Sequence, residues 1–380
     1  MSDPIYMQQA LKLARRAYGQ TSPNPLVGAV LVKAGRLIGQ GWHHRAGEPH
    51  AEIEALRDCV RRGNNPKGAT LYVTLEPCCT HGRTPPCTEA ILAAGIRKVV
   101  VGATDPNPRH AGRAFALLKR AGIRVVHGVL AAECTQLNEA FNHWIVHRTP
   151  FVTVKAAMTL DGKIATASGE SKWITGEKAR GYGMHLRQGA DAILVGVNTI
   201  LADNPSLTAR GSKVKAQSSR LRRMVLDSLA RTPTTAKVVT DEFATLTTIV
   251  VSKVAPAARV NRLSKLVNVL VAPVVTNSKL QTPNPKLNLP WVLQRLGAEN
   301  VTSLLVEGGG EVNASFLLGG HAHRVAFFYA PKILGGRDAR KAVSGEGARS
   351  LAEVLQLEDV RWQKLGVDLL LTARVVGRKG

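Results

Sequence analysis

A histidine and two cysteines spread over residues 50–87 constrain the fold of this chain more than any other feature. The first segment reads HAE from His50, and the second, EPCCTHGRTPPC, ends at Cys87. Two thiolates and one imidazole form a catalytic zinc site when the fourth coordination position is left to water, whose pKa the metal lowers towards neutrality. The pattern predicts that His50, Cys78 and Cys87 bind Zn²⁺, so the fold must bring the two segments together.

Glu52 is predicted to move protons rather than to bind the metal. Apolar residues recur at helical spacing over residues 51–62, and in such a helix His50 and Glu52 point about 200° apart. Hydrolytic attack on an amidine-like carbon needs a base first and an acid afterwards, which one carboxyl group can supply. Cys87 precedes a second helical run, so the helix dipole is expected to favour its thiolate. These features predict a zinc-dependent deaminase.

A structural zinc knot is the alternative reading of the same residues. Cys79 or His81 would then be the fourth ligand. Structural sites usually draw on tightly spaced cysteine pairs, and a knot would leave Glu52 without a role. Nucleobase deaminases carry H-x-E followed by P-C-x-x-C, whereas here eight residues separate Cys78 from Cys87.

Composition limits the class of protein and its partners. The net charge of +24 raises the possibility of nucleic acid, but only 4% of the residues are aromatic, and the cations are dispersed over both halves. An anionic small molecule would use basic clefts equally well, and no nucleic-acid partner is expected. No apolar run is long enough to cross a bilayer, and the N-terminus lacks the basic stretch followed by an apolar stretch that is typical of a signal peptide. Five cysteines, three of them near position 80, suit a metal site in a cytoplasmic enzyme.

Alternating strand and helix patterns up to about residue 147 predict an α/β layered domain. The motif loop leaves the carboxyl end of a predicted strand, Ala69 to Leu75, where α/β sheets usually place their chemistry. The loop around Asn24 leads into this sheet, and His43 follows a second strand.

The first half resembles the deaminase part of the bifunctional deaminase–reductase of riboflavin biosynthesis. The resemblance rests on TSPNPLVGAVLV, GQGWHHRAGEPHAE, YVTLEPC, the PC-x₈-C spacing and the DPNP loop. It implies a cytidine-deaminase-like α/β/α domain over residues 1–147 and a diamino-ribosylamino-pyrimidinone 5′-phosphate as substrate. The resemblance also implies four substrate-side residues: Asn24, His43, His81 and Arg83.

The second half contains a glycine run between a predicted strand and a predicted helix. Residues 302–306 read as the strand, Glu307 is followed by three glycines, and a helix is expected from about Ala314 to Leu318. Such a run can hold a phosphate through backbone N–H groups and a helix N-terminus. Asn313 occupies the third glycine position of G-x-G-x-x-G, so a Rossmann dinucleotide fold is not indicated.

Residues 148–380 resemble the reductase part of the same bifunctional family, through KAAMTLDGKIA, SGESKWIT, GVNTILADNPSLTAR and VEGGGEVNASFL. This implies a dihydrofolate-reductase-like α/β domain that uses NADPH to reduce a ribosyl to a ribityl group. Lys155 is the candidate cation near the reacting centre. The implied substrate-side residues are Ser171, Arg187, Leu207, Arg210 and Glu307, with the two arginines as a 5′-phosphate clamp. The implied cofactor-side residues are Ala157, Trp173, Thr199, Asp203, Ser228, Gly309, Gly310, Glu311, Val312, Asn313, Ala314 and Ser315.

Two competing hypotheses remain at this stage. A nucleic-acid-editing zinc deaminase with an appended domain predicts salt-dependent binding to RNA or DNA. A non-catalytic, zinc-stabilised basic binding protein predicts four protein ligands and no exchangeable water. For the bifunctional enzyme, the expected partners are the phosphorylated pyrimidine and NADPH, with no membrane and with assembly into a homo-oligomer.

Overall fold

The computed structural model describes residues 2–81, 85–209, 220–274 and 286–376. The chain divides into two compact units, Met1–Arg148 and Thr149–Gly380. In the described parts of the chain, no helix combines the length and apolar character needed to cross a membrane.

The first unit is built on a five-stranded sheet of order β2-β1-β3-β4-β5, in which β3, β4 and β5 are parallel and β1 is antiparallel to both of its neighbours. A 3₁₀ turn, Arg15–Ala17, follows the first helix. The elements are α1 Asp3–Ala14, β1 Gly28–Lys33, β2 Arg36–Trp42, α2 Ala51–Arg61, β3 Thr70–Leu75, α3 Cys87–Ala93, β4 Lys98–Ala103, α4 Arg113–Arg120, β5 Arg124–His127, α5 Ala131–Leu137 and α6 Glu139–His147.

Alternation along β1 explains how helices cover both faces of this sheet. Ala29 and Leu31 belong to the core cluster that also contains residues of α2, α3 and α4, whereas Val30 and Val32 pack with α1 and α5. Side chains of a strand point to opposite faces in turn, so both faces of β1 are buried. The predicted α/β/α layering is therefore confirmed.

The second unit is built on a nine-stranded sheet of order β11-β10-β9-β8-β12-β6-β13-β16-β15, and a two-stranded ribbon pairs β14 with β7. The strands from β11 to β13 are parallel, and β16 and β15 add two antiparallel pairings. The strands are β6 Phe151–Thr159, β7 Lys163–Ala165, β8 Ala192–Gly196, β9 Arg222–Leu226, β10 Thr247–Ser252, β11 Asn268–Ala272, β12 Ser303–Val306, β13 Arg324–Ala330, β14 Arg340–Lys341, β15 Leu357–Leu365 and β16 Asp368–Val375.

Helices cover both faces of the parallel part. They are α7 Glu177–Gln188, α8 Val197–Asp203, α9 Lys237–Thr240, α10 Ala257–Leu263, α11 Leu289–Ala298 and α12 Gly310–Leu317, with 3₁₀ turns at Ala244–Leu246 and Leu351–Glu353. Leu194 of β8 packs with α11 and α12, and its neighbours Ile193 and Val195 pack with α8, α9 and α10. All five residues of β8 are buried, as expected for a central parallel strand.

The helix after the glycine run begins earlier than the sequence predicts. It starts at Gly310 rather than near Ala314, so only Gly308 and Gly309 remain in the loop. The sequence misplaced this start because glycine has a low helix propensity. Gly310 is required by a close backbone contact, because a Cβ there would lie 2.4 Å from the carbonyl oxygen of Lys341. Glycine at this position lets residues 341–344 pack against the first helical turn.

Candidate active sites

The structure brings the three predicted metal donors together at the start of two helices. His50 is the residue before α2, and Cys87 is the first residue of α3. The Nδ1 atom of His50 lies 3.5 Å from Cys78 Sγ and 3.3 Å from Cys87 Sγ, and all three donor atoms lie within 4.8 Å of one another. Zn–S and Zn–N bonds in a regular tetrahedron place nitrogen and sulfur about 3.6 Å apart. The donor set therefore fits a zinc ion.

The start of α3 also donates a hydrogen bond to the sulfur of Cys78. The backbone N–H of Cys87 donates to Cys78 Sγ over 3.2 Å. Hydrogen bonds from the Cys87 thiol and from His50 lower the pKa of Cys78 against the effect of burial. The pKa of Cys87 is raised instead, because its thiol faces the Cys78 sulfur and is buried. The expected effect of the helix dipole on Cys87 stays a prediction, because in this arrangement its backbone N–H points at the neighbouring Cys78 sulfur.

Glu52 is buried beside the donor cluster, with 3% of its surface exposed. Burial, with a smaller contribution from the Cys78 sulfur, raises the pKa of Glu52 to about 7. A carboxyl group with a pKa near neutrality can both accept and return a proton.

Asn24 and His43 form a hydrogen-bonded chain that ends next to the metal histidine. The Asn24 side-chain amide lies 3.0 Å from His43 Nε2, and His43 Nδ1 lies 3.0 Å from the carbonyl oxygen of Pro49. If the amide nitrogen donates, Nδ1 carries the proton and donates to Pro49. Burial lowers the pKa of His43, and its ring meets that of His50 edge-on at 5.2 Å. The neutral His43 ring therefore connects the loop of Asn24 to the segment preceding His50.

The other two residues predicted in the motif loop are His81 and Arg83. His81 is exposed, and its Nε2 lies 3.7 Å from Glu89 Oε1. Arg83 falls outside the described residues. Cys79 Sγ lies 3.8 Å from His110 Nδ1, away from the donor set. Within the described residues, no fourth histidine, cysteine or carboxylate joins the three donors, so the structural zinc knot receives no support.

Glu76, to which the sequence analysis gave no role, anchors the start of the motif loop. This buried carboxylate accepts the backbone N–H groups of Asp105 at 3.2 Å, Gly112 at 2.9 Å and Ala114 at 3.1 Å. It thereby ties the chain two residues before Cys78 to the loop that leads into α4. An acidic residue directly after a buried strand is the sequence signal from which a role for Glu76 could have been predicted. Its partners could not be identified from the sequence, because they lie 29 to 38 residues further along the chain.

In the second unit, Glu307 lies at the carboxyl end of β12 and pairs with two basic side chains. Arg187 donates to both of its oxygens, Nε to Oε1 over 2.8 Å and Nη2 to Oε2 over 2.9 Å, and Lys155 Nζ lies 3.5 Å from Oε2. Burial alone would raise the pKa of Glu307, but Arg187 and Lys155 lower it to about 2. The cluster consequently carries one net positive charge. Lys155 shares its face of β6 with Ala157, two residues along the strand.

Arg187 is less free to bind phosphate than the sequence suggests. Besides Glu307, its Nη1 donates to the carbonyl oxygen of Thr208 over 2.9 Å, which leaves two of its five N–H groups for a ligand. Leu207 is buried with a φ of 51°. Arg210, the second arginine of the expected clamp, lies outside the described residues.

The polar loop after β7 contacts the end of α8. Ser171 Oγ donates to Asp203 Oδ1 over 3.3 Å, and Lys172 Nζ lies 3.7 Å from the same oxygen. The Trp173 ring is 66% exposed, with the Arg180 guanidinium 4.7 Å from its centroid. These residues and the half-buried Thr199 and Ser228 are accessible to a ligand.

The glycine run presents an open backbone, but not every residue of the expected cofactor segment is accessible. A Cβ on Gly309, the residue that precedes α12, would meet no atom within 4 Å. Asn313 is fully buried, and its amide donates to the carbonyl oxygen of Ala342 over 2.8 Å. The expectation of a cofactor contact from the Asn313 side chain is thus not supported, because this side chain holds the segment around Ala342. Ala314 is buried, Val312 is half-buried, and Glu311 and Ser315 are exposed.

Arg223 is a second residue that the sequence analysis missed. Its side chain is 1% exposed, pairs with Asp241 through both terminal nitrogens, and donates to Thr247 Oγ1 and to the carbonyl oxygens of Val238 and Ser206. The contact with Ser206 fixes the residue before Leu207. A basic residue at the start of a buried strand gives no sequence signal for such a role.

Comparisons with known proteins agree with both sites. The zinc-binding region of cytidine and deoxycytidylate deaminases matches residues 1–103, and the RibD C-terminal domain matches residues 150–371. The riboflavin biosynthesis protein RibD of Actinobacillus pleuropneumoniae is 42% identical over 378 residues, which cover 99% of this chain and 96% of the relative. The chain belongs to the RibD family. RibD of Escherichia coli is 39% identical, with 98% of this chain and 99% of the relative covered.

Solved structures of RibD proteins share the whole fold. Acinetobacter baumannii RibD superimposes with a TM-score of 0.83 at 34% identity, covering 99% of both chains. A Thermotoga maritima protein described as a diaminohydroxyphosphoribosylaminopyrimidine deaminase and 5-amino-6-(5-phosphoribosylamino)uracil reductase gives a TM-score of 0.82 at 34% identity, with 98% of this chain and 99% of that chain covered. The predicted fold class, a cytidine-deaminase-like domain followed by a reductase domain, is confirmed.

As a RibD protein, the chain is a bifunctional enzyme of riboflavin biosynthesis, with a zinc-binding deaminase domain and an NADPH-dependent reductase domain. The predicted enzyme class and both predicted cofactors, Zn²⁺ and NADPH, are confirmed. The residues suit these cofactors. Two thiols and one imidazole form the zinc donor set, and the unobstructed backbone at Gly309 leaves room for a phosphate before α12.

Proposed function

We propose that residues 1–147 deaminate 2,5-diamino-6-(5-phosphoribosylamino)pyrimidin-4-one and that residues 148–380 reduce the ribosyl group of the product to ribityl. The convergence of His50 Nδ1, Cys78 Sγ and Cys87 Sγ beside a buried Glu52 carries this proposal. The name of the Thermotoga maritima relative supports the choice of substrate.

In the deaminase domain, His50, Cys78 and Cys87 would hold Zn²⁺, which supplies a Lewis acid that activates water. Glu52 accepts a proton as the ring carbon is attacked and returns one to the departing amino group, which leaves as ammonia. Burial raises its pKa above the ordinary value of a carboxyl group, which favours uptake of the first proton. Asn24 would bind the pyrimidine, and the buried His43 would act on the substrate side by orienting the Asn24 amide, with His81 and Arg83 towards the phosphate.

In the reductase domain, bound NADPH would supply the hydride that C1′ of the ribosyl group gains as its bond to the ring oxygen opens. Lys155, held 3.5 Å from Glu307, would stabilise the negative charge that develops on this ring oxygen before a proton converts it to a hydroxyl group. The free N–H groups of Arg187, together with Arg210, would bind the 5′-phosphate. Ser171, Leu207 and Glu307 complete the substrate side.

The cofactor side follows the carboxyl ends of the strands. It comprises Ala157, Trp173, Thr199, Asp203, Ser228 and the start of α12, including Gly309, Gly310 and the exposed Glu311 and Ser315. Val312, Asn313 and Ala314 would position this segment by packing against the protein.

The enzyme is proposed to act in the cytoplasm as a homo-oligomer. All five cysteines are free, and thiol ligands need reducing surroundings to bind metal. Recombinant protein should bind no RNA or DNA in a salt-dependent manner, in contrast to a nucleic-acid-editing deaminase.

The test is incubation of the enzyme with the diaminopyrimidinone phosphate, with and without NADPH, followed by mass spectrometry. We expect loss of one amino group in both cases and a gain of two hydrogens only with NADPH. Glu52→Gln should retain zinc and the reductase while ammonia release falls by about 10²- to 10⁴-fold. Undiminished deamination by this variant would contradict the assigned role of Glu52, and a polynucleotide product would favour the editing enzyme.

A further inference from the structure

Four parallel strands of the reductase unit lie side by side in the order β6, β12, β8 and β9. Because parallel strands end at the same edge of a sheet, the segments that follow them form one continuous strip. Neighbouring strands are about 4.8 Å apart, so the strip extends over about 14 Å from β6 to β9. This length accommodates an extended dinucleotide.

The candidate cofactor residues follow this strip in one direction. The reacting centre, Lys155 with Glu307, lies at β6 and β12. The open backbone of Gly309 follows β12 and suits the diphosphate. Thr199 follows β8, and Ser228 follows β9. If the nicotinamide lies at the reacting centre, the adenosine end of NADPH therefore lies at the ends of β8 and β9.

NADPH differs from NADH by a phosphate on the adenosine 2′-oxygen. A protein that distinguishes the two needs a basic side chain at this end of the strip. Arg231 follows β9 and is exposed, and its Nη2 donates to Asn198 Oδ1 over 3.2 Å, in the first turn of α8. In the described ranges, no carboxylate lies within ion-pair distance of Arg231. A neutral amide thus orients its guanidinium between β8 and β9 without cancelling its charge.

Buried hydrogen bonds hold the segment that carries Arg231. Asp227 Oδ2 accepts the backbone N–H of Thr232 at 2.6 Å and its hydroxyl at 2.7 Å. The carbonyl oxygen of Ser228 accepts the hydroxyl of Ser252 at 2.7 Å and its backbone N–H at 3.1 Å. Both ends of the segment 228–232 are therefore fixed before any ligand binds, which reduces the entropy cost of binding.

We infer that Arg231 binds the 2′-phosphate of the dinucleotide and selects NADPH over NADH. The inference rests on the proposed reductase function, because it takes the nicotinamide end from the position of Lys155 and Glu307. The planar guanidinium can bind two phosphate oxygens at once. Arg231 is thus a specificity residue for a reaction in which it takes no chemical part.

The test measures binding of NADP⁺, NAD⁺ and adenosine 2′,5′-bisphosphate to the full-length protein by isothermal titration calorimetry. Arg231→Ala should weaken binding of NADP⁺ and of the bisphosphate by about 10- to 100-fold, with NAD⁺ affected much less. Arg231→Lys keeps the charge but loses the two-pronged geometry, so its loss should be smaller. Arg295→Ala is the matched control, because it removes an exposed arginine from α11, which leads into the opposite end of β12.

The outcomes separate this inference from the function on which it rests. Equal weakening of NADP⁺ and NAD⁺ by Arg231→Ala, or no change in either, would overturn the inference while leaving the reductase intact. Wild-type protein that binds neither dinucleotide would overturn both. Thermal unfolding of each variant at the wild-type temperature ensures that a lost affinity reports a lost contact, and a smaller loss in Arg231→Lys than in Arg231→Ala supports the inference independently.

Discussion

Replacement of Glu76 should weaken both the zinc site and the deaminase domain, although this residue binds no metal. Its carboxylate accepts three backbone N–H groups, from Asp105 and Gly112 at Oε2 and from Ala114 at Oε1. In Glu76→Gln, one oxygen can keep the first two hydrogen bonds, but an NH₂ group then faces the N–H of Ala114. One hydrogen bond is lost, and the other two lose their charged acceptor.

The magnitude follows from these three contacts. A hydrogen bond to a charged group contributes about 1.5–3 kcal/mol, so Glu76→Gln should lower the free energy of unfolding of this domain by about that amount. Glu76→Ala leaves all three donors unpaired, at about 1–3 kcal/mol each, and should cost at least about 3 kcal/mol, a large part of the total stability of a domain. The glutamine variant is therefore the informative one. Because Glu76 supports the loop of Cys78, zinc affinity should fall by about 10- to 100-fold.

Two measurements check this prediction in the full-length protein. Calorimetric unfolding reports the stability of the deaminase transition, and competition with a chromogenic chelator reports zinc affinity. Glu133→Gln is the matched control, since Glu133 is exposed on α5 and its replacement should change stability by less than about 0.5 kcal/mol. If Glu76→Gln matches this control in both measurements, the reasoning that the three N–H contacts organise the metal loop is refuted.

Three further predictions concern the two domains separately. The pKa of Glu307 is about 2 against an ordinary 4.5, so its ionisation contributes about 3 kcal/mol that is fully present above pH 4.5 and lost as the pH falls towards 2. The difference in unfolding temperature between wild type and Glu307→Gln should therefore shrink below pH 4.5, and a constant difference would contradict this. Arg223→Met leaves Asp241 without its buried partner and should destabilise the reductase domain by about 3–5 kcal/mol in calorimetry, unlike the exposed Arg295→Met. Zinc removal by chelation should abolish ammonia release and leave NADPH oxidation with deaminated substrate intact; parallel loss of both activities would argue against independent sites.

The parts of the fold that were predicted depend on local patterns. The α/β alternation and the strand from Thr70 to Leu75 follow from apolar periodicity, which records burial directly. The start of α12 was misplaced because a glycine run predicts a loop, whereas the contact that requires Gly310 joins it to Lys341, far along the chain. No local pattern distinguishes a glycine required by such an approach from one that forms a loop.

The candidate site divides in the same way. His50, Cys78 and Cys87 could be chosen from side-chain chemistry and spacing, and their convergence in the structure agrees with that choice. The hydrogen bonds and pKa values of the site could not be predicted in this way. The backbone N–H of Cys87 donates to the sulfur of Cys78 only because the loop folds that way, and the raised pKa of Glu52 comes from burial.

The sequence by itself determined the donor atoms for zinc, the alternation of strands and helices, and the resemblance to a bifunctional enzyme, because each of these is a property of residue types at short spacing. Only the tertiary structure decided that Arg187 is held by Glu307, that Asn313 is buried, and that Glu76 anchors the metal loop. Hydrogen bonds and burial depend on which distant segments pack together, and a motif specifies the chemical groups of a site without specifying their neighbours.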